Sequence, residues 1–166
     1  MSIIKLKVAL DGRRGTWRRI AIRGDQTLGD LHGAIYHAFD RYDEHLYTFY
    51  VAPKTVKLTR RTAHEMAAKY SHPQALDAGG FWDAGFDGRK PPREKNAEKS
   101  TIASLRLSVG QVFLYLFDFG DEWWHVISVE QTDAEADAAL RYPAVIAKRG
   151  ESPAQYAEYD EEDEGV

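Results

Sequence analysis

Apolar Ile4, Leu6, Val8 and Leu10 alternate with Lys5 and Lys7 at the start of the chain. This period of two predicts a half-buried strand. The turn-forming run Asp11 to Gly15 follows. A second strand then returns over Thr16 to Gly24, with Ile20 and Ile22 on one face, completing an antiparallel hairpin. Over Asp25 to Phe39 the spacing changes: Leu28, Leu31, Ile35 and Phe39 fall three and four apart, the stripe of an amphipathic helix. Thr27 is placed to cap it, and Asp30 suits its first turn. Gly29 and Gly33 share one side, where they would let the helix lie close to a sheet. His45 to Val51 is aromatic and rich in strand formers.

The middle reads differently. Thr59 to Pro73 holds one short helix, predicted over Thr62 to Tyr70. Asp77 to Ser100 is rich in Gly, Pro and charge, and reads as a long surface excursion. Order returns with a short strand at Leu105 to Gly110, then the stretch Val112 to Glu130. With Gly120-Asp121 as its turn, this stretch is a hairpin that pairs Asp118 with Trp123. That register places Leu114 and Leu116 on one face with Trp123 and His125, and brings Asp118 and His125 together as diagonal neighbours. Trp123 and Trp124 then point to opposite faces.

The element order predicts an α+β fold. Its sheet is mixed and mainly antiparallel, in a β-grasp-like ββαβ…ββ order, with one main helix packed on it and an inserted helix and loop region. One domain spans 1–157, with the insertion at about 52–100 and a disordered acidic tail at 158–166. The tail holds six of the 26 acidic residues, so the net charge of −4 conceals a mildly basic body. There is no cysteine, which excludes disulfides and thiol nucleophiles. The N-terminus does not read as a signal peptide, and no apolar run approaches the roughly 18 residues of a membrane span. A cytoplasmic protein without a membrane partner is expected.

Five segments carry a resemblance: Trp17 to Ile20, Leu28 to Phe39, His45 to Phe49, Phe113 to Glu130 and Tyr142 to Tyr156. In this order they resemble the plasmid pRiA4b ORF-3-like family. The resemblance implies an α+β fold and a link to plasmids and insertion sequences, and implies no established reaction. Where some members of the wider family end in a Pro-Pro-Glu-Asp and Gly-Gly pattern, this chain has "GESPAQY".

Two sets of polar residues carry candidate chemistry. His32, His45, Asp118, Asp121 and His125 are the residue types of a divalent metal or acid–base site, suited to zinc, iron or manganese. Their spacing matches no metal motif, and each has a structural alternative, such as Asp118 and Asp121 bonding turn amides. The "DFG" at 118–120 lacks the companion kinase motifs. The second set is basic and aromatic: Arg13, Arg14, Arg18 and Arg19 around Trp17; Lys57, Arg60 and Arg61; and Arg89, Lys90, Arg93 and Lys95 near Trp82. Such groups grip phosphates and stack on bases, and they equally occur on ordinary solvated surfaces. No helix-turn-helix or RNP motif accompanies them.

Three functions stay open. The first is a non-enzymatic accessory protein that binds a macromolecule, protein or nucleic acid, through the insertion and the basic clusters. The second is a metal-dependent hydrolase or nuclease using the His/Asp set. The third is a direct nucleic-acid binder regulated by the acidic tail. Oligomeric state is not encoded in any of these features.

Overall fold

In the computed structural model, residues 2–79 and 94–156 are described. The strands are β1 (Ile3–Leu10), β2 (Arg13–Arg23), β3 (Tyr47–Val51), β4 (Ala68–Ser71), β5 (Glu94–Asn96), β6 (Val112–Phe117), β7 (Trp123–Ala134) and β8 (Ala144–Arg149). The helices are α1 (Leu28–Ala38), α2 (Ala63–Met66) and α3 (Pro73–Gly79). The strands form one sheet in the order β5-β4-β3-β6-β7-β1-β2-β8. Every pairing is antiparallel except that of β4 with β5. The chain is therefore α+β with a mixed, mainly antiparallel sheet, as its patterning predicts. The β-grasp-like order is not confirmed, since β1 lies between β7 and β2, and β3 sits beside β4 and β6.

α1 covers one face of the sheet. Leu28, Leu31, Ile35 and Phe39 are buried on Leu6, Val8, Phe113 and Ile127. Each large apolar side chain buried in this way contributes about 1.5–3 kcal/mol. Thr27 caps the helix in a full capping box: its hydroxyl accepts from the Asp30 amide, and the Asp30 carboxylate accepts from the Thr27 amide. Gly29 gives close packing, but against a helical turn at Ala97–Lys99 rather than the sheet. A Cβ there would lie 2.9 Å from Glu98 Cγ, whereas one at Gly33 would meet nothing within 4 Å.

Several expected boundaries move. The second helix stops at Met66, and Ala68–Ser71 pairs with β3 as a strand instead. Leu105 to Gly110 is not a strand; a helical turn ends at Leu105 and β6 begins at Val112. β8 pairs with β2 over a stretch the patterning left unassigned. The sheet's outer strands are β5, three residues long, and β8, which carries Lys148 and Arg149. Shortness and charge both discourage further edge pairing. No helix among the described residues is long and apolar enough to cross a membrane.

The largest correction concerns the β6–β7 hairpin. Phe117, not Asp118, pairs with Trp123, and five residues, 118–122, form the loop. Shifting register by one residue exchanges the faces of a strand. Trp123 and His125 therefore face α1 with Tyr115 and Phe117, while Trp124 and Val126 share the opposite face with Leu114 and Leu116. Asp118 and Glu122 hold φ of 64° and 54°. The Asp118 Oδ1 accepts from the amides of Gly120 and Asp121, its amide donates to the Leu46 carbonyl, and its carbonyl accepts from the Glu122 amide at 2.7 Å.

Asp118→Ala removes the carboxylate that accepts these two loop amides and leaves a Cβ in the left-handed region. A loss of about 2–3 kcal/mol is expected in urea unfolding. Asp118→Gly relieves the backbone strain and costs less, and Asp118→Asn, which keeps an acceptor and tolerates this φ, costs least. Equal losses in all three variants would refute this account of the loop.

Candidate functional site

The five residues of the His/Asp set lie in three places. His45 Nε2 donates to the Tyr156 hydroxyl at 2.7 Å, and that hydroxyl donates to Asp43 at 2.6 Å. The Asp118 Oδ2 lies 3.5 Å from the same His45 nitrogen. This small cluster sits where the β6–β7 loop meets the end of the described chain. Hydrogen bonding to Asp43 pushes the Tyr156 phenol up to about 12. Asp121 joins only through its backbone amide.

His32 lies on α1 and faces the sheet. Its Nδ1 meets the Tyr115 hydroxyl at 2.6 Å and its ring stacks on Tyr47 at 3.9 Å. Desolvation, aided by His72 and His37, pulls its pKa down to about 3. Its 3.4 Å contact with Glu44 is therefore a hydrogen bond of a neutral ring rather than an ion pair. His125 is deeper still, 1% exposed, between Phe39 and Tyr115. Its Nδ1 donates to the Trp123 carbonyl at 3.0 Å, and burial, with the Arg41 charge second, lowers its pKa to about 3. The expected Asp118–His125 contact is replaced by Asp118–His45, because the register turns His125 inward. Among the described residues no three His, Asp or Glu side chains gather so as to hold a metal ion. The set thus divides into a part-buried cluster around His45 and Asp118 and two neutral core histidines.

The basic set has a different fate. Arg18, 3% exposed, points to the helix side. Its guanidinium donates to the carbonyls of Ala38, Trp17, Arg149 and Gly150 and lies over Phe39, tying the end of α1 to β8. Arg18 is a strut. Trp17 and Arg19 point the other way, because neighbouring strand residues alternate in face. Lys7 and Arg19 both lie over the Trp17 ring, at 5.1 and 4.6 Å, and Arg19 also bonds Glu130.

On this same face a cleft of about 950 Å³ opens between the sheet and the segment 54–61. Val112, Leu114, Trp124 and Val126 form an apolar floor, and Lys7, Arg14, Lys54, Lys57, Arg60 and Arg61 supply positive charge. Asp11 is the acid on its wall, 3.5 Å from Arg60. Arg60 lies over Trp124, which stacks on Tyr50. The cleft thus joins Arg14 from the first basic cluster to Lys57, Arg60 and Arg61 from the second. Arg13 is exposed nearby in sequence. Trp82, Arg89, Lys90 and Arg93, like the acidic tail 158–166, lie outside the described residues. Lys7 and Lys54 belong to the cleft and carry no signal in the sequence: Lys7 reads as the solvent side of a strand, and Lys54 as loop charge.

The family described as "Plasmid pRiA4b ORF-3-like protein" matches residues 2–158. The chain belongs to this family. No curated protein matches it. Among solved structures it is similar to a protein of unknown function from Methanosarcina mazei Go1, at 23% identity and a TM-score of 0.66, over 92% of this chain and 71% of the other. At that identity the likeness concerns the fold. This pRiA4b ORF-3-like protein is thus an α+β member of its family. Its polar core and basic cleft lie on opposite faces of one sheet.

Both buried histidines bind fewer protons in the folded protein than in the unfolded chain between about pH 3 and 6.5. Their contribution to stability is whole above pH 6.5 and is lost as pH falls toward 3, at up to about 1.4 kcal/mol per pH unit for each group. Urea unfolding at pH 7, 5.5 and 4.5 should show this slope. His125→Asn keeps an amide donor toward the Trp123 carbonyl and should remove its share of the slope, leaving that of His32, whereas an unchanged slope would mean that His125 does not titrate on unfolding.

Proposed function

We propose that this pRiA4b ORF-3-like protein is a non-enzymatic binding module that grips a nucleic acid in the basic cleft. The observation carrying this reading is the convergence of Lys7, Arg14, Lys57, Arg60 and Arg61 around a floor containing Trp124. Phosphates take the rim charges, and a base finds the half-buried apolar side chains of Val112 and Val126 beneath them, beside the Arg60 guanidinium that already lies over the buried Trp124 ring. Part of the insertion, residues 54–61, forms one wall, which agrees with a macromolecule held through this region. An accessory role beside plasmids and insertion sequences fits a protein that binds nucleic acid without transforming it. The acidic tail, by its charge, is a competitor for the same cleft. The His/Asp set does not favour hydrolysis, since two of its histidines are neutral and buried.

Fluorescence anisotropy with labelled single-stranded and duplex oligonucleotides at 20–200 mM salt tests this reading. Binding should weaken steeply with salt. Arg60→Ala with Arg61→Ala should make the log–log salt slope shallower by about 0.7 for each single-strand phosphate that is no longer neutralised. Removing residues 158–166 should tighten binding. Absence of binding at the lowest salt, or an unchanged slope in the double variant, would refute the proposal.

A further inference from the structure

On the opposite side of the sheet, Arg41 occupies an unusual place for a guanidinium. It follows α1 in the run Asp40 to His45, and it is only 6% exposed. The stretch after β8 lies across this loop. Ser152 donates to the Phe39 carbonyl, and Gln155 accepts from the Tyr42 and Asp43 amides while donating to the Asp43 carbonyl. Arg41 lies beneath this strap, stacked over Trp123 at 4.1 Å.

Its bonds do not match its burial. Nη1 reaches the Pro153 carbonyl at a long 3.5 Å. Among the described residues Nε and Nη2 are buried without a partner, and so is the indole Nε1 of Trp123, the ring beneath them. No carboxylate lies within ion-pair distance of Arg41 among the described residues. Buried charges are ordinarily paired, because an uncompensated one costs several kcal/mol. The contrast with Arg18 is direct: that guanidinium, equally buried, is satisfied by four carbonyls.

The chemistry of the unfilled partner follows from which nitrogens are unpartnered. Nε–H and Nη2–H point along one edge of the guanidinium as parallel donors. That fork matches two oxygens of one planar or tetrahedral oxyanion, as in a carboxylate or a phosphate. The Trp123 N–H adds a third donor from the ring on which Arg41 lies. We propose that Arg41 and Trp123 form a binding site for a small oxyanion, carboxylate or phosphate, enclosed between the loop 40–45, β7 and the strap 151–156. The Arg41 charge acts on His125 and Tyr115 as well, so an anion paired with Arg41 would also change the electrostatics of the polar core. This site is separate from the basic cleft, since Trp123 and Trp124 project from opposite faces of β7.

After exhaustive dialysis into chloride, wild-type protein is titrated with inorganic phosphate and, separately, with acetate at matched ionic strength. Melting temperature and tryptophan fluorescence are followed. One of the two anions should produce a saturable rise in melting temperature with a fluorescence change, and which one does so identifies the ligand's chemistry. Arg41→Met should abolish the response. Trp123→Phe, which keeps a ring under the guanidinium, should weaken it roughly tenfold, the worth of one buried hydrogen bond, and it decides the question should Arg41→Met fail to fold. Arg60→Ala with Arg61→Ala should leave the response intact, which separates this site from the cleft. The proposal is overturned by a wild-type protein that responds to neither anion beyond chloride, or by a response that survives in Arg41→Met or is undiminished in Trp123→Phe.

Discussion

The five-residue loop between β6 and β7 sets the face on which every side chain of that hairpin lies. Asp118 adopts a left-handed backbone and its carboxylate accepts from the loop amides of Gly120 and Asp121. Phe117 then pairs with Trp123, and the alternation of both strands follows. His125 and Tyr115 enter the core under α1, and Trp124 enters the other face. A loop one residue different would send His125 toward the cleft and bury Trp124 under the helix. The polar core and the basic cleft both depend on this register.

The sheet consequently does two jobs on two sides. Toward α1 it is filled by aromatic rings and by imidazoles kept neutral by desolvation, with Arg18 stitching the helix end to β8. Toward the opposite face it is covered over one part by Leu58, Ala63 and Ala67 from the insertion. The neighbouring part stays open as the cleft. The insertion therefore does not simply hang from the surface: β4 and β5 lengthen the sheet, and residues 54–61 wall the cleft. Arg18 and Arg19 show how little sequence proximity decides. Adjacent in the chain, one is a buried strut and the other lies on Trp17 on the cleft face.

Much of the fold was legible because it rests on local periodicity. The strand Ile3 to Leu10, the helical stripe Leu28 to Phe39 and the Thr27–Asp30 cap follow from spacing and backbone chemistry within one element. The cleft was legible only in its parts, since Arg14 and Arg60 are far apart in the chain and meet only when β2 and the insertion are folded onto one sheet. Arg41 was not legible at all. In "DRYDEH" it reads as one more solvated charge, and its burial is imposed by a strap more than 100 residues away in the chain.

By itself, the sequence determined the element types, the amphipathic helix, the absence of thiol chemistry and the family, because these depend on residue identity and on spacing along the chain. Only the tertiary structure decided which face each hairpin residue takes, which arginines are struts and which line a cleft, and where a guanidinium is buried without a counter-charge among the described residues. Those outcomes depend on loop length, strand register and long-range covering, and one residue of register is enough to reverse them.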